Sequence, residues 1–459
     1  MKVPRKLTPI LGTSIAIMVV SLMVGLNVRQ ALTLLIFTIT ITTLIFFWHL
    51  KVPITLLGVS ILISLGLIDI PHLIEATNLD VILFLINMMI ITRFLENRHF
   101  FEYITSMILL KVGNNGFLLV VILMTLSAIF AALVGIVASA LFMTASAIYI
   151  ASRFKLNVVP LVLMVSFAVN IGSSATVIGN PSGILVAMKS GLTFSDFLKW
   201  ATPISIINLI LAIAISFKMF EKDIRVLNER LRERPVDYQT KEAAPRISER
   251  DLIVCWALFI GTVMGLFLSH QFEELMHLKK NTMLIGVSLF SAAITLIIER
   301  QRARELVERG VDWWTLIFFM MLFASVGALE HVGVTEFLAE RLANVPGGKV
   351  MQFMTLTLLT GILSAFLDNV LAVATMAPII KGLGEHGYDT YPFWWGIHFL
   401  GIFFGNLTII ASVANIIVVS MLERRGLGHI SFMRWLKNGI IITVPTAILT
   451  MLLLIILQL

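Results

Sequence analysis

Uncharged apolar runs long enough to cross a bilayer recur along this chain of 459 residues, and they limit what it can fold into. Examples are Leu7–Asn27, Leu252–Leu268 and Gly439–Leu457. In lipid a spanning run must satisfy its own backbone hydrogen bonds, which a helix does within one segment. With 58% hydrophobic and only 13% charged residues, the composition is also unlike that of a soluble domain. The sequence therefore predicts an all-α polytopic membrane protein that has the lipid bilayer as its partner.

Charge placement predicts how the chain is oriented in a cell membrane. Basic residues cluster before the first run, in the hydrophilic segment 221–250 and in the loop Arg300–Arg309. Because cytoplasmic loops carry an excess of Lys and Arg, we expect the N-terminus and the central linker to be cytoplasmic. His49 and Lys51 are interpreted as markers of another loop. The net charge of +7 fits basic loops better than nucleic-acid binding, so no nucleic-acid partner is expected.

Two halves of the chain resemble each other at charged, glycine and aromatic positions. Glu96 recurs as Glu330 (330 − 96 = 234), Thr176 as Thr408 (408 − 176 = 232) and Trp200 as Trp435 (435 − 200 = 235). The number of spans before each copy differs by one, which predicts inverted repeats of the kind that many transporters use. The expected divisions are N-terminal transmembrane helices 1–50, a first repeat 51–220, a cytoplasmic linker 221–250, a connecting transmembrane helix 251–280 and a second repeat 281–459.

Each half contains a polar interruption inside apolar sequence, at Asn170–Gly183 and Gly405–Asn415. The first is rich in Gly and contains a Pro, which loosen a helix and free backbone groups that then need partners. Secondary transporters bind their substrates at interrupted helices of this kind. Candidate substrate-binding residues in the two stretches are Asn170, Ser173, Ser174, Thr176, Asn180, Asn406, Thr408, Ser412 and Asn415. The alternative is that these small polar residues only join helices to one another.

Asp368 stands in the apolar stretch Leu363–Val370 and is a candidate for proton or cation coupling. A carboxyl group inside the membrane is costly and by default suggests a function. The alternative is a structural partner for a buried Lys or Arg, but no obvious partner lies in the adjacent spans. The corresponding part of the first half has Gly135-Ile136 in place of Asp368-Asn369. The predicted site is therefore chemically different in its two halves.

Other polar residues receive structural interpretations. Glu96 and Glu330 are interpreted as capping or ion-pair residues at helix ends, and His331 is given no role. The single cysteine, Cys255, is interpreted as a buried apolar residue, and it excludes a cysteine-based metal cluster or an intrachain disulfide. No metal site and no resident cofactor are predicted, apart from a coupling proton or sodium ion. The sequence contains no nucleotide loop and no convincing protease dyad, so an enzyme is not expected.

The segments 170–181, 364–370 and 405–415 resemble motifs of the ion transporter superfamily, over roughly residues 50–458. The most similar branches are the arsenite permeases (ArsB), the sodium–proton antiporters (NhaD) and the P protein, which share a citrate-transporter-like domain. This resemblance implies two inverted repeats with re-entrant hairpins and interrupted transmembrane helices, and often a homodimer with an elevator-like transport domain. It also adds Asn369 to the candidate substrate-binding residues. The chain departs from the motif at Gly135-Ile136, where many relatives carry a polar pair.

The sequence supports a secondary transporter, with its substrate left open. The first hypothesis is a proton-coupled carrier of a small inorganic ion or oxyanion, similar to an arsenite permease. The second is a citrate, dicarboxylate or sulfate symporter or a sodium–proton antiporter of the same fold, although no arginine clamp for a carboxylate stands in the predicted site. An ion channel is a third hypothesis, which the interrupted helices and the repeat disfavour.

Overall fold

The computed structural model describes residues 4–109, 115–233 and 247–459, and within these ranges the chain is helical and has no β-strand. Eight of its helices are long and apolar enough to cross a membrane, or nine if the bent pair Ile70–Ala76 and Leu79–Asn97 forms one span. The predicted all-α polytopic membrane fold is therefore confirmed.

In the N-terminal part of the chain, six described α-helices are followed by a helical hairpin and a broken helix. Its helices are Pro4–Val24, Val28–Phe46, Lys51–Ser64, Ile70–Ala76, Leu79–Asn97, Phe100–Leu109, Gly116–Val134, Ile136–Arg153, Val158–Ser173, Pro181–Ser190, Phe194–Met219 and Glu221–Glu233. Phe194–Met219 includes one π-helical segment, Phe197–Ala201.

The C-terminal part repeats this order. Its helices are Glu249–Leu275, Thr282–Ile298, Ala303–Gly310, Trp313–His331, Val334–Ala343, Gly348–Phe366, Asn369–Glu385, Tyr391–Phe403, Val413–Arg424 and Phe432–Gln458. Short 3-10 turns at Phe404–Asn406 and Ile409–Ala411 lie inside its broken helix.

Two helical hairpins turn inside the protein. We call Gly116–Val134 with Ile136–Arg153 the first hairpin and Gly348–Phe366 with Asn369–Glu385 the second hairpin. The first turns at Gly135, whose φ of +101° is a conformation that L side chains rarely adopt and glycine adopts freely. The second turns through an extended Leu367, and Asp368 caps the arm that follows. Gly135 and Asp368 thus hold the same position at the two tips.

Two helices are interrupted inside the protein, one in each half of the chain. We call Val158–Ser173 with Pro181–Ser190 the first broken helix and Tyr391–Phe403 with Val413–Arg424 the second broken helix. The polar stretches that the sequence singled out coincide with the two breaks. Pro181 begins the second half of the first broken helix, where its missing N–H removes nothing from the helical hydrogen bonds.

The halves pack against each other reciprocally. The second arm of the first hairpin contacts the second part of the second broken helix, and the second arm of the second hairpin contacts the second part of the first broken helix. Likewise Thr282–Ile298 packs against Leu79–Asn97, while Trp313–His331 packs against Lys51–Ser64. Paired contacts of this kind are expected when two repeats are related by a two-fold axis, and they support the inverted-repeat prediction.

The segment 221–250, which the sequence analysis expected to be a linker, begins with a helix that packs against the rest of the protein. Glu221–Glu233 is an amphipathic helix whose Ile224, Leu227 and Leu231 are buried. Its Asn228 Oδ1 accepts a hydrogen bond from Gly116 N at 2.9 Å, which places the helix against the start of the first hairpin. The alternating charges occupy the outer face, so charge alone concealed an apolar stripe at helical spacing. Residues 234–246 of this segment lie outside the described part.

Gly172 tests how tightly the first broken helix packs on the first hairpin. A Cβ at Gly172 would lie 2.2 Å from Ala128 Cα and 2.3 Å from Ala128 O, both backbone atoms that cannot move aside alone. We expect Gly172→Ala to destabilise the protein by about 1–3 kcal/mol, the usual cost of overpacking. Thermal unfolding in detergent measures the effect.

Gly261 provides the matched control, because it also lies within a helix but a Cβ there would meet nothing within 4 Å. Gly261→Ala should leave the midpoint of thermal unfolding nearly unchanged or raise it slightly. Equal midpoints for Gly172→Ala and the unsubstituted protein would contradict the close approach of these helices.

Candidate substrate site at the two helix breaks

Both breaks end in the same capped turn. At Asn180 and at Ser412 the backbone has φ −147° and ψ 139°, and each side chain accepts a hydrogen bond from the N–H two residues ahead. The caps start Pro181–Ser190 and Val413–Arg424, whose N-termini therefore point into the protein interior. A helix N-terminus carries partial positive charge and unpaired N–H groups, which favour an anion.

The two broken helices are joined by a central amide cluster, which we define as Ser166, Asn170, Asn406, Ser412 and Asn415. Asn170 Nδ2 donates to Asn406 Oδ1 at 2.8 Å and to Asn415 Oδ1 at 2.9 Å, and Ser412 Oγ donates to Asn170 Oδ1 at 2.7 Å. All five residues are fully buried. The structure therefore brings together four of the sequence-predicted site residues and adds Ser166.

Asn415 also hydrogen-bonds to backbone carbonyls of the second break, to which it belongs. Its Nδ2 donates to Gly405 O at 2.6 Å and to Thr408 O at 2.8 Å, while its Oδ1 accepts from Ser166 Oγ at 2.8 Å. These carbonyls are freed where the helix stops, and one amide satisfies both of them. Asn415 thus replaces backbone hydrogen bonds that an unbroken helix would make.

Each broken helix is fastened to the hairpin of its own repeat by an equivalent threonine. Thr176 Oγ1 donates to Ala132 O near the first tip, and Thr408 Oγ1 donates to Ala365 O at 2.5 Å near the second. Each hydroxyl therefore hydrogen-bonds to a backbone carbonyl near the end of the first arm of the respective hairpin. This equivalence matches the alignment of Thr176 with Thr408 in the sequence.

The remaining predicted residues of the first break, Ser173, Ser174 and Asn180, make two further side-chain contacts beside the central amide cluster. Asn180 Nδ2 donates to Ser173 Oγ at 3.3 Å, and Ser174 Oγ is 2.7 Å from Ser205 Oγ on Phe194–Met219. Ser173 Oγ also donates to Asn170 O at 2.8 Å, so Ser173 reaches the central amide cluster through the backbone carbonyl of Asn170. Ser205 was not predicted, because a lone serine in an apolar helix carries no distinguishing signal.

Asp368 is buried at the second tip, only 3% exposed. Its Oδ1 accepts a hydrogen bond from Val370 N at 2.9 Å, so it caps the second arm of the hairpin. Asn369 beside it is also buried, at 4% exposed. The first tip has Gly135 in the equivalent place, so the carboxyl group is present at one tip and absent from the other.

Lys51 corrects two sequence interpretations. It is only 8% exposed and does not lie in an open loop, and its charge acts on Asp368 and Asp312. Asp368 therefore has a basic neighbour, although none was found in the adjacent spans. Lys51 Nζ donates to Thr315 Oγ1 at 2.8 Å and lies 5.2 Å from the ring centre of Phe318. The sequence signal for this buried lysine was a single Lys between apolar residues, which we interpreted as the marker of a loop.

His398 is a second central residue that the sequence analysis missed. It is fully buried in the second broken helix, and its Nε2 lies 2.9 Å from Ser174 O in the first break. Within the described residues its Nδ1 and the Nδ2 of Asn406 have no hydrogen-bond partner. Both buried nitrogens could bind a substrate group or water, since burying an unpaired polar atom is costly.

A cavity of about 300 Å³ leads to the first tip. Its lining includes the buried or half-buried pairs Gly135-Ile136 and Ile178-Gly179, the half-buried Glu96, and the exposed residues Arg93, Arg309 and Asp312. Thr92 lies along its wall. The cavity therefore connects the surface beside Ala303–Gly310 with the turn of the first hairpin and the first break.

The two glutamates at equivalent helix ends both make ion pairs. Glu96 pairs with Arg93 at 3.0 Å, and Glu330 pairs with Lys381 at 3.0 Å on the second hairpin.

A family model described as citrate transporter matches residues 32–400 and 342–458, which together include most of the chain. The chain belongs to this citrate transporter family. Membership confirms the predicted resemblance to permeases with a citrate-transporter-like domain, and it makes the chain a membrane transporter.

The chain is similar to several membrane proteins over most of its own length. An uncharacterized transporter of Mycobacterium tuberculosis is 30% identical over 372 residues, covering 79% of this chain and 82% of the relative. The 46 kDa membrane protein of Mycobacterium leprae is 29% identical over 397 residues, with 85% and 90% covered. The human P protein is 21% identical over 445 residues, covering 80% of this chain and 52% of the relative.

The central amide cluster can be tested at Asn170, which makes three of its hydrogen bonds. Asn170→Ala removes these bonds and leaves buried partners unpaired, so we expect a stability loss of about 1–3 kcal/mol together with strongly reduced transport. Asn170→Asp should be at least as harmful, because its oxygen would face the oxygens of Asn406 and Asn415. Thermal unfolding and substrate flux in proteoliposomes provide the two measurements.

Asn208 is the matched control, since it is equally buried and its Nδ2 donates to Thr450 Oγ1 at 2.8 Å, away from the breaks. Asn208→Ala should reduce stability to a similar degree but retain transport in the folded fraction. If both alanine variants kept full transport, the amide cluster would have no role in the cycle.

Proposed function

We propose that this transporter carries a small inorganic ion or oxyanion and couples its movement to protons through Asp368. The observation that carries the proposal is the buried carboxyl group of Asp368, placed at a hairpin tip within the electrostatic reach of Lys51. A carboxyl group inside a membrane protein is typical of ion and proton pathways. The equivalent Gly135 cannot titrate, so only the second tip would provide this coupling.

The chemistry of the breaks supports a small polar substrate. The helix N-termini at Pro181 and Val413 provide positive potential without full charges. The Nδ2 of Asn406 is a neutral donor without a partner in the described residues, whereas the His398 ring donates through Nε2 to Ser174 O and leaves Nδ1 as an acceptor. Such a site suits a small hydroxide or oxyanion, as in an arsenite permease. The single Cys255 excludes several thiolate ligands from one chain.

The packing of the repeats supports alternating access. The cavity that reaches Gly135 opens beside the Arg-rich segment 300–309, which the positive-inside rule assigns to the cytoplasm. We therefore propose that the structure represents an inward-facing state in a cell membrane, with the N-terminus and the central linker cytoplasmic. The expected homodimer, its elevator-like movement and the choice between a coupling proton and a sodium ion are parts of the same proposal.

Carboxylate transport is a second candidate function, which two observations favour. The family model is described as citrate transporter, and Arg93 and Arg309 are among the residues that line the cavity, together with Glu96 and Asp312. Guanidinium groups bind carboxylates with two parallel hydrogen bonds. The sequence analysis found no arginine clamp because these residues lie outside the interrupted stretches.

The substitution Asp368→Asn removes the ionisable carboxyl group but keeps the side-chain oxygen that caps the second arm of the hairpin. An asparagine Oδ1 can still accept the hydrogen bond from Val370 N, so the hairpin should fold. We expect the variant to lose flux driven by an imposed pH gradient while its expression and unfolding temperature change little. Everted vesicles supplied separately with arsenite, citrate and sodium provide the measurement.

Asp196 is the control for a capping acid outside the hairpins, since its Oδ2 accepts a hydrogen bond from Thr193 N at 2.8 Å. Asp196→Asn should keep gradient-driven flux. Unchanged pH-driven flux in Asp368→Asn would remove this residue from coupling. Arsenite flux that needs Asp368 supports the first candidate, and citrate flux without arsenite flux supports the second.

Arg309→Gln tests the carboxylate candidate. Because Arg309 lines the cavity, its loss should raise the KM for citrate by about three- to tenfold, the effect of one partly exposed charge interaction. Arg304 on the same helix is the control, since it is also paired with a glutamate four residues away but does not line the cavity. An equal KM in Arg309→Gln and Arg304→Gln would count against citrate entry along this route.

A further inference from the structure

Three potential metal ligands meet at a surface that the proposed transport site does not include. Asp69 caps Ile70–Ala76, His72 lies in the first turn of that helix and His331 is the last residue of Trp313–His331. One ligand atom from each of the three side chains lies within 4.8 Å of the others. His331 is separated from the other two by more than half of the chain, so only the tertiary fold assembles the group.

The positions of these side chains are fixed by the backbone around them. His72 N donates to Asp69 Oδ1 at 2.9 Å, which holds the carboxylate beside the His72 ring. His72 Nδ1 lies 2.6 Å from the same oxygen, and the ring centres of His72 and His331 are 4.3 Å apart. The two ring planes are inclined by 49°, so the rings do not stack in parallel.

The two segments that supply the ligands are packed closely. A Cβ at Gly327 would lie 2.3 Å from Ala76 Cβ, so the absence of a side chain at Gly327 lets Ile70–Ala76 approach Trp313–His331. The histidines therefore do not depend on flexible loops for their proximity. A largely prearranged group loses less conformational freedom when it binds a metal ion.

We propose that Asp69, His72 and His331 form a Zn²⁺-binding site. Two imidazole nitrogens and one carboxylate oxygen are a ligand set that Zn²⁺ accepts, with water in the fourth position. Ca²⁺ and Mg²⁺ prefer oxygen ligands only, so the two histidines select against them. All three side chains are exposed, and an ion can reach them directly.

The short contact between His72 and Asp69 could also be explained by a simple pair of a carboxylate and a histidine, without a metal ion. His429 and Glu423 form such a pair, with the same 2.6 Å separation between Nδ1 and a carboxylate oxygen, and they belong to no metal-ligand group in the described residues. The third ligand, His331, is what distinguishes the proposed site. His429 therefore provides an internal control within the same chain.

The site would also act on a contact of the second hairpin. Residue 330 precedes His331, and Glu330 pairs with Lys381 on that hairpin at 3.0 Å. Zn²⁺ that holds His331 to Asp69 and His72 would fix the end of Trp313–His331 beside this ion pair. Bound Zn²⁺ is thus expected to slow any movement of the hairpin relative to this helix.

Isothermal titration of the metal-free full-length protein with ZnCl₂ tests the proposal, using protein purified without a histidine tag. We expect one site per chain, and His331→Ala should weaken it by at least about tenfold, since the loss of even an indirect metal partner typically costs that much. Asp69→Asn keeps an oxygen to cap the helix and should also weaken binding. His429→Ala should bind Zn²⁺ as the unsubstituted protein does.

Two further readouts do not depend on transport. Zn²⁺ should raise the unfolding temperature of the unsubstituted protein and of His429→Ala, but not that of His331→Ala. X-ray absorption at the zinc edge should show nitrogen ligands that decrease in His331→Ala. Equal Zn²⁺ affinity in His331→Ala and the unsubstituted protein, with both variants folded, would overturn the proposal whatever substrate is transported.

Discussion

The structure depends on the hydrogen bonds that replace backbone pairing where two helices stop in the protein interior. A break frees carbonyl and N–H groups that lipid cannot satisfy, so each break must be enclosed by side chains. Asn415 satisfies two freed carbonyls of its own break, and Asn170 joins that break to the other half. The same bonds that permit the breaks therefore hold the two repeats in register.

Two equivalent tips have acquired different chemistry within one architecture. Thr176 and Thr408 fasten the breaks to the hairpins in the same way, yet Asp368 caps one tip where Gly135 turns the other. The second tip carries an ionisable carboxyl group on which Lys51 acts, whereas the first tip has no ionisable side chain at Gly135-Ile136 and adjoins a cavity. This division would separate ion coupling from substrate entry.

Membership of the citrate transporter family accounts for the architecture but leaves the substrate to the site. The breaks provide neutral donors and helix N-termini, while Arg93 and Arg309 line the cavity that reaches the first tip. A small oxyanion needs the former alone, and a carboxylate would use both. Under the proposed function, the arginines along the cavity and the carboxyl group of Asp368 would thus be separable features of transport.

The sequence by itself determined the helical membrane fold, the two breaks and the buried acid, because run length, Gly and Pro content and an isolated charge are local properties. It did not reveal that the charge of Lys51 acts on Asp368, that His398 reaches the first break or that His331 meets His72. These contacts join residues far apart in the chain, and only packing of the repeats decides them. The helix Glu221–Glu233 shows the same limit. Its charges predicted a hydrophilic linker, whereas its apolar face is buried against the rest of the protein.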